Sequence, residues 1–341
     1  MARKAHFVGS LGLETAAAAM SSVAEILGPC CTRIPDGETG ERGYWVRWQI
    51  STFEKCDDLE LEIVRETVEG YKDKLERPLF AIKAGVDPAK LDLGELGYAD
   101  EAIESYATFA ALKASGTINA DVRFQVSIPT PLALILSFVS PASQLALEPA
   151  IVQATKRDLK KIQGAIPADQ LAIQFDVCME VLGYEGAVKL PFEDGLNQSV
   201  RRVGELGDEI DARAEFGIHL CYGDPGHKHV VEPKDLATSV AFANGITDAT
   251  SRLVNFMHMP VPKERSDEAY FEPLKNLALA PETNLVLGLV HHTGGVDDSQ
   301  TRIAAAEKFV SEFDIATECG FGRRDPATIP ALLQIHRDLC D

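Results

Sequence analysis

FGIHLCY, residues 216–222, is the stretch on which the fold reading turns. It is a short apolar run that ends in the Gly/Pro loop YGDPGHKH (222–229), which marks it as a buried β-strand rather than a helix. His219 and Cys221 stand two residues apart, so both side chains leave the strand on one face. Seven further runs have the same character: 6–10, 31–35, 123–128, 171–177, 252–259, 285–292 and 313–319. Helical segments alternate with them, among them ETAAAAMSSVAEIL (14–27), EPAIVQATKRDLKKIQGAI (148–166), PKDLATSVAFANGI (233–246), TRIAAAEKFVSEF (301–313) and a last one near 326–340. Eight strand-then-helix units predict a single (β/α)₈ TIM barrel. A doubly wound open sheet is the alternative, but no Gly-x-Gly-x-x-Gly follows the first strand, so a dinucleotide site has no support.

A barrel carries its chemistry at the C-terminal ends of its strands. Ser10 ends the first run, and Asp36 and Glu38 follow the second. Asp176 and Cys178 end the fourth, His219 and Cys221 the fifth, His258 the sixth, His291 and His292 the seventh, and Cys319 the eighth. The segment from about 41 to 120 exceeds one strand-to-helix connection. Its runs LELEIVRETVEGYKDKLE (59–76) and ADEAIESYATFAALKAS (99–115) read as helices, with LFAIKAG (79–85) a possible extra strand. It is expected to be a helical insertion between the second and third strands of one domain spanning 1–341.

The chain has 33 Lys and Arg against 52 Asp and Glu, a net charge of -19 that disfavours nucleic acid and anionic membranes as partners. No apolar run is long enough to cross a bilayer; LALILSFV is the longest. The start, MARKAHFVGSLG, lacks a secretory pattern, and seven scattered cysteines suit reduced thiols, so a cytoplasmic protein is expected. The oligomeric state is left open.

His219, Cys221 and Cys319, with His258 as a further candidate, form the soft nitrogen and sulfur set that Zn²⁺ prefers. One imidazole and two thiolates leave a coordination position open, and a thiol entering it loses its proton near neutral pH. His227 and His229 in GHKH also resemble a ligand pair, but the surrounding glycines and proline favour an exposed or substrate-facing loop. Asp36 and Glu38, in the turn IPDGETGER, offer carboxylates to an ammonium group. Asp176 lies in a run that should be buried, where a carboxylate needs a partner. Trp45 and Trp48 read as core residues before a stacking wall. His291 or His292 is a candidate general acid.

Taken together, these residues resemble the catalytic C-terminal barrel of cobalamin-independent methionine synthase, in order over nearly the whole chain. HFVGSLGLET resembles that family's Gly-Ser motif, IPDGETGER its Gly-Glu motif, IQFDV its Ile-Gln-Ile-Asp motif, and HLCYG with ECGFGRR its zinc motifs. The resemblance implies Ser10, Glu38 and Asp176 around an amino-acid substrate, zinc on His219, Cys221 and Cys319, and a catalytic histidine at His291 or His292. RFQVSIPTPLAL resembles the strand ahead of the family's folate site. The sequence departs from the family at VNFMHMPVP, where a zinc-ligating Glu is replaced by Met257 and His258. Either His258 takes its place or the site has three protein ligands. The expected activity is zinc-dependent methyl or alkyl transfer to a small thiol such as homocysteine, from methyl-tetrahydrofolate or another donor. The alternatives are a lyase or hydrolase using water activated at the metal, and a non-catalytic binding protein.

Overall fold

Strands buried on both faces carry continuous apolar sequence, and the central strands here are of that kind. In a computed structural model, which describes residues 2–66, 75–224 and 228–340, the strands are β1 (Arg33–Pro35), β2 (Leu59–Glu66), β3 (Leu75–Ile82), β4 (Arg123–Pro129), β5 (Leu171–Val177), β6 (Glu215–Leu220), β7 (Phe256–Pro260), β8 (Asn284–Gly288) and β9 (Asp314–Ile315). Every residue of β5 and β7 is buried. Seven strands form one curled parallel sheet in the order β1-β4-β5-β6-β7-β8-β9. Ala5 makes parallel bridges to both Cys31, beside β1, and Ile315 of β9. The N–H of Ala5 donates to the Cys30 carbonyl and that of His6 to the Ile315 carbonyl, so the chain near its start touches both edges of the sheet.

The helices are α1 (Ala16–Leu27), α2 (Ile50–Glu54), α3 (Tyr98–Ala114), α4 (Pro131–Phe138), α5 (Gln144–Ala165), α6 (Met179–Tyr184), α7 (Gly195–Gly207), α8 (Ala237–Ala249), α9 (Glu268–Phe271), α10 (Gly295–Ala306) and α11 (Ile329–Leu339). α1 starts where the Thr15 hydroxyl accepts the Ala18 N–H, an N-cap that satisfies a free donor of the first turn. α1 packs on α11 and α3, and α3 packs on α5, so the longer helices cover the outer face of the sheet.

The segment 41–120 differs from the helical reading. LELEIVRE is strand β2, paired antiparallel with β3 from Leu59↔Ile82 to Glu66↔Leu75; residues 67–74 lie outside the described part. Alternation decides this: Leu59, Leu61 and Ile63 interleave with Glu60 and Glu62, a period of two. The hairpin docks on the main body through a bridge from Phe80 to Val139. The Ser140 N–H donates to the Phe80 carbonyl, and Phe53 stacks on Phe80 at 5.3 Å between centroids. α3 lies where the helix joining β1 to β4 would run.

On the concave face of the sheet, alternate residues build layers. Ala172, Phe256, Val286 and Ala316 form a small apolar cluster. Gly217 is adjacent to it, and a Cβ there would stand 2.0 Å from the Phe256 ring. Two residues further along, β4 supplies Gln125, β5 Gln174 and β7 His258, while His6 joins them from the first segment. His6 Nε2 contacts Gln174 Oε1 at 3.0 Å, and the Gln174 amide donates to the Val8 carbonyl at 2.7 Å. One more step reaches Asp176, His219 and the candidate site.

Candidate metal and substrate site

The end of β6 delivers His219 and Cys221, and the loop after β9 delivers Cys319. One ligand atom from each lies within 4.8 Å of the others, which makes them the one metal-competent group of this kind among the described residues. The Cys221 and Cys319 sulfurs are 4.0 Å apart, although 98 residues separate them. The Gly223 N–H donates to the Cys221 sulfur at 3.3 Å. A hydrogen bond with Cys178, together with burial, pushes the Cys221 thiol well above its ordinary range. Contact with Cys221, then burial, does the same to Cys319. Without an ion these are therefore neutral thiols. Burial holds His219 well below the ordinary imidazole range, which keeps it neutral and able to ligate. One imidazole and two thiols converging at a cavity wall suit zinc as a donor set.

His258 sits elsewhere. It is the register partner of His219 on the neighbouring strand, with Nδ1 2.7 Å from His219 Nδ1 and Nε2 2.9 Å from the Thr317 carbonyl oxygen. Both of its nitrogens are engaged, and it is outside the three-residue cluster.

The same cavity, about 460 Å³, is lined by Ser10, Glu38 and Asp176 opposite the metal-competent group. Glu38 enters it from a turn in which its own backbone is left-handed, with φ 47°. Asp36 builds that turn instead of facing the cavity. It accepts the Glu38 N–H at 2.9 Å, the Arg42 guanidinium at 2.8 Å and the Ser105 hydroxyl at 2.8 Å. Gly9 leaves room for the Glu38 carboxyl, since a Cβ there would stand 2.6 Å from its Oε1. Burial, then the charges of Asp176 and Asp36, raises Glu38 well above the usual carboxylate range. Burial lifts Asp176 to about 7, against hydrogen bonds from Gln174 and Trp45 that favour its charged form. Ser10 joins three segments: it bridges Gly37, and its hydroxyl accepts the Gly322 N–H at 3.2 Å.

Neither candidate general acid lines the cavity. His292 is exposed. His291 is buried, with Nε2 2.8 Å from the Val261 carbonyl and Nδ1 3.8 Å from Glu318 Oε1, and burial brings it down to about 4. Glu318 also pairs with His229 Nε2 at 3.0 Å. Burial acts to raise Glu318, but His229 and His291 outweigh it and hold the carboxyl below its ordinary range. His229 is thus a buried ion-pair partner rather than an exposed loop residue; His227 lies outside the described residues.

The sequence matches no family model and no curated protein. Solved structures do match it. A B12-independent methionine synthase from Shewanella sp. W3-18-1, in complex with selenomethionine, superposes with a TM-score of 0.58 at 13% identity, covering 98% of this chain and 97% of that one. A methyltransferase from Methanosarcina mazei superposes with a TM-score of 0.57 at 13% identity, covering 99% of this chain and 94% of that one. The chain shares its fold with both. Likeness at 13% identity speaks for the fold alone.

Three participants, Gln174, Glu318 and Arg323, were not singled out in the sequence, and a fourth, Trp45, was read there as core. Trp45 lines the cavity and hydrogen-bonds Asp176, where the sequence favoured a core role. Gln174 donates to Asp176 Oδ1 at 3.0 Å, and an amide two residues before a buried acid on one strand face was a readable signal. Glu318 precedes Cys319 directly. Arg323 lines the cavity and contacts Asp224. Trp48 stays in the packing, edge-on to Tyr98 at 4.9 Å.

Proposed function

We propose that this protein transfers a methyl or other small alkyl group to a small thiol that also carries an amino group, with zinc held by His219, Cys221 and Cys319. One observation carries the reading: the only imidazole–thiol cluster of this kind among the described residues shares a cavity with two carboxyls, Glu38 and the buried Asp176. The full barrel fits the same reading, with residues 5–10 as its first strand, because Ala5 bridges to both edges of the sheet. Zinc held by that group would supply the Lewis acidity that lets a thiol ionise near neutral pH.

The chain's own residues do the rest. Glu38 and Asp176 bind the ammonium group, which draws both carboxyls into their charged forms. Gln174 and Trp45 hold Asp176 in place for it. The Ser10 hydroxyl and the glycine-rich loop at 320–322 receive the substrate's carboxylate end. The apolar wall of Met179, Leu182, Val188 and Val230 excludes water from the thiol and receives the donor. A bond forms between sulfur and the alkyl carbon, the donor–carbon bond breaks, and the donor's leaving atom keeps the electron pair and takes a proton. His291 or His292 is the proposed proton source; His291 would first have to leave the buried setting that holds it at about 4 and keeps it unprotonated. The loop that follows β8 must shift to bring either one to the cavity.

The test is zinc content together with turnover on aminothiols presented with methyl-tetrahydrofolate or simpler methyl donors. One zinc per chain and thiol-dependent product are expected, and Cys319→Ser should lose both. Full zinc and full rate in Cys319→Ser would refute the proposal. Turnover that needs no thiol would replace it with hydrolysis or elimination on the same site.

A further inference from the structure

His258 is fully buried on β7, and its two ring nitrogens meet different neighbours. Nε2 faces the Thr317 carbonyl at 2.9 Å. A carbonyl only accepts, so Nε2 carries the proton. In the neutral ring Nδ1 is then a lone pair, and it lies 2.7 Å from Nδ1 of His219. A contact that short needs a donor, so His219 carries its proton on Nδ1. The lone pair of His219 is left on Nε2. Reversing either ring would set two lone pairs or two protons against each other.

The surroundings fit this relay. A Cβ at Gly288 would stand 2.8 Å from both His258 Nε2 and the Thr317 oxygen, so the glycine preserves the contact. The Thr317 hydroxyl donates to the Cys319 carbonyl at 2.5 Å, which places the relay and the third ligand in one loop.

We propose that His258 is a positioning residue: it receives its tautomer from the Thr317 carbonyl and imposes on His219 the tautomer that offers Nε2 to a metal. This rests on the metal reading above and assigns His258 a role other than ligand. Outer partners of this kind fix ring orientation and ligand basicity, and losing one weakens metal affinity by about 10- to 100-fold.

Two measurements on the full chain test it. In metal-free protein labelled with ¹⁵N-histidine, NMR should show the proton on Nδ1 for His219 and on Nε2 for His258; the opposite tautomers would overturn the proposal. In a chelator competition, His258→Leu should bind Zn²⁺ about 10- to 100-fold more weakly, with an unchanged set of metal-bound atoms by X-ray absorption. His258→Asn, whose Oδ1 accepts the His219 Nδ1–H, should recover most of the loss. Unchanged affinity in His258→Leu, or loss of one metal-bound nitrogen, would overturn the proposal. His219→Ala reports on the metal reading separately: if it binds zinc like the unsubstituted protein, that reading fails whatever His258 does.

Discussion

Asp176 is held at about 7 in the fold, against 3.8 for an ordinary aspartate. A carboxyl raised by folding keeps its proton in the folded chain where the unfolded chain has lost it. Its stabilising contribution is complete below about pH 4 and is lost as pH rises to about 7. Asp176→Asn has no proton to lose, and its carbonyl still accepts from Gln174 and Trp45. The variant should therefore unfold at a higher temperature than the parent at pH 8, by several degrees, with a smaller difference at pH 5. Thermal unfolding across that range checks this, and a difference independent of pH would contradict it. The same variant should bind cationic amines more weakly. The residue that strains the fold is thus the one suited to ligand charge, which is how functional sites often depart from optimal packing.

Among the elements, the β2–β3 hairpin is held to the body by a few identifiable contacts. Phe80 is buried, stacks on Phe53 and accepts the Ser140 N–H through its carbonyl. Phe80→Ala should cost about 3–5 kcal/mol in denaturant unfolding, from lost burial and the cavity left behind. Zinc affinity should stay as it was, because no hairpin residue lines the site cavity. The central strands were legible in the sequence because short, mostly apolar runs such as LAIQFDV, bounded by turn residues, suit a strand buried on both faces. The hairpin was misread because its alternation is diluted by charge, and Leu61 and Ile63 remain about half exposed, at 50% and 51%. α3 was readable as a helix but not as part of the main helical layer, since that depends on which surfaces it meets. Strand ends set the direction of Asp176, His219 and Cys221, so those residues were readable from spacing alone. The placements of Asp36, His291 and His258 were not: Asp36 is taken up by its own turn and by Ser105, and the two histidines by partners from distant segments.

At the scale of the whole molecule, an ion held by His219, Cys221 and Cys319 would bind only the folded chain. Such binding adds about 4 kcal/mol of stability at a thousandfold excess over Kd. Zinc should therefore raise the unfolding temperature of metal-free protein, a chelator should reverse the rise, and Cys319→Ser should show neither response. Scanning calorimetry with and without zinc measures it, and an equal rise in the variant would place the binding elsewhere. The net charge of -19 adds a general attraction for cations that the variant retains, which makes it the proper control.

The spacing of the two thiols also bears on biogenesis. While the chain is being made, His219 and Cys221 leave the ribosome long before Cys319, which lies 98 residues beyond Cys221. The edge formed by β9 is equally late, and Ala5 bridges to Ile315 across 310 residues. A nascent chain that has not reached Cys319 would therefore offer an ion only two of the three donors, a weak chelate. Tight loading by this group would await the segment that carries Cys319, so a chain terminated before that segment would lack the full ligand set.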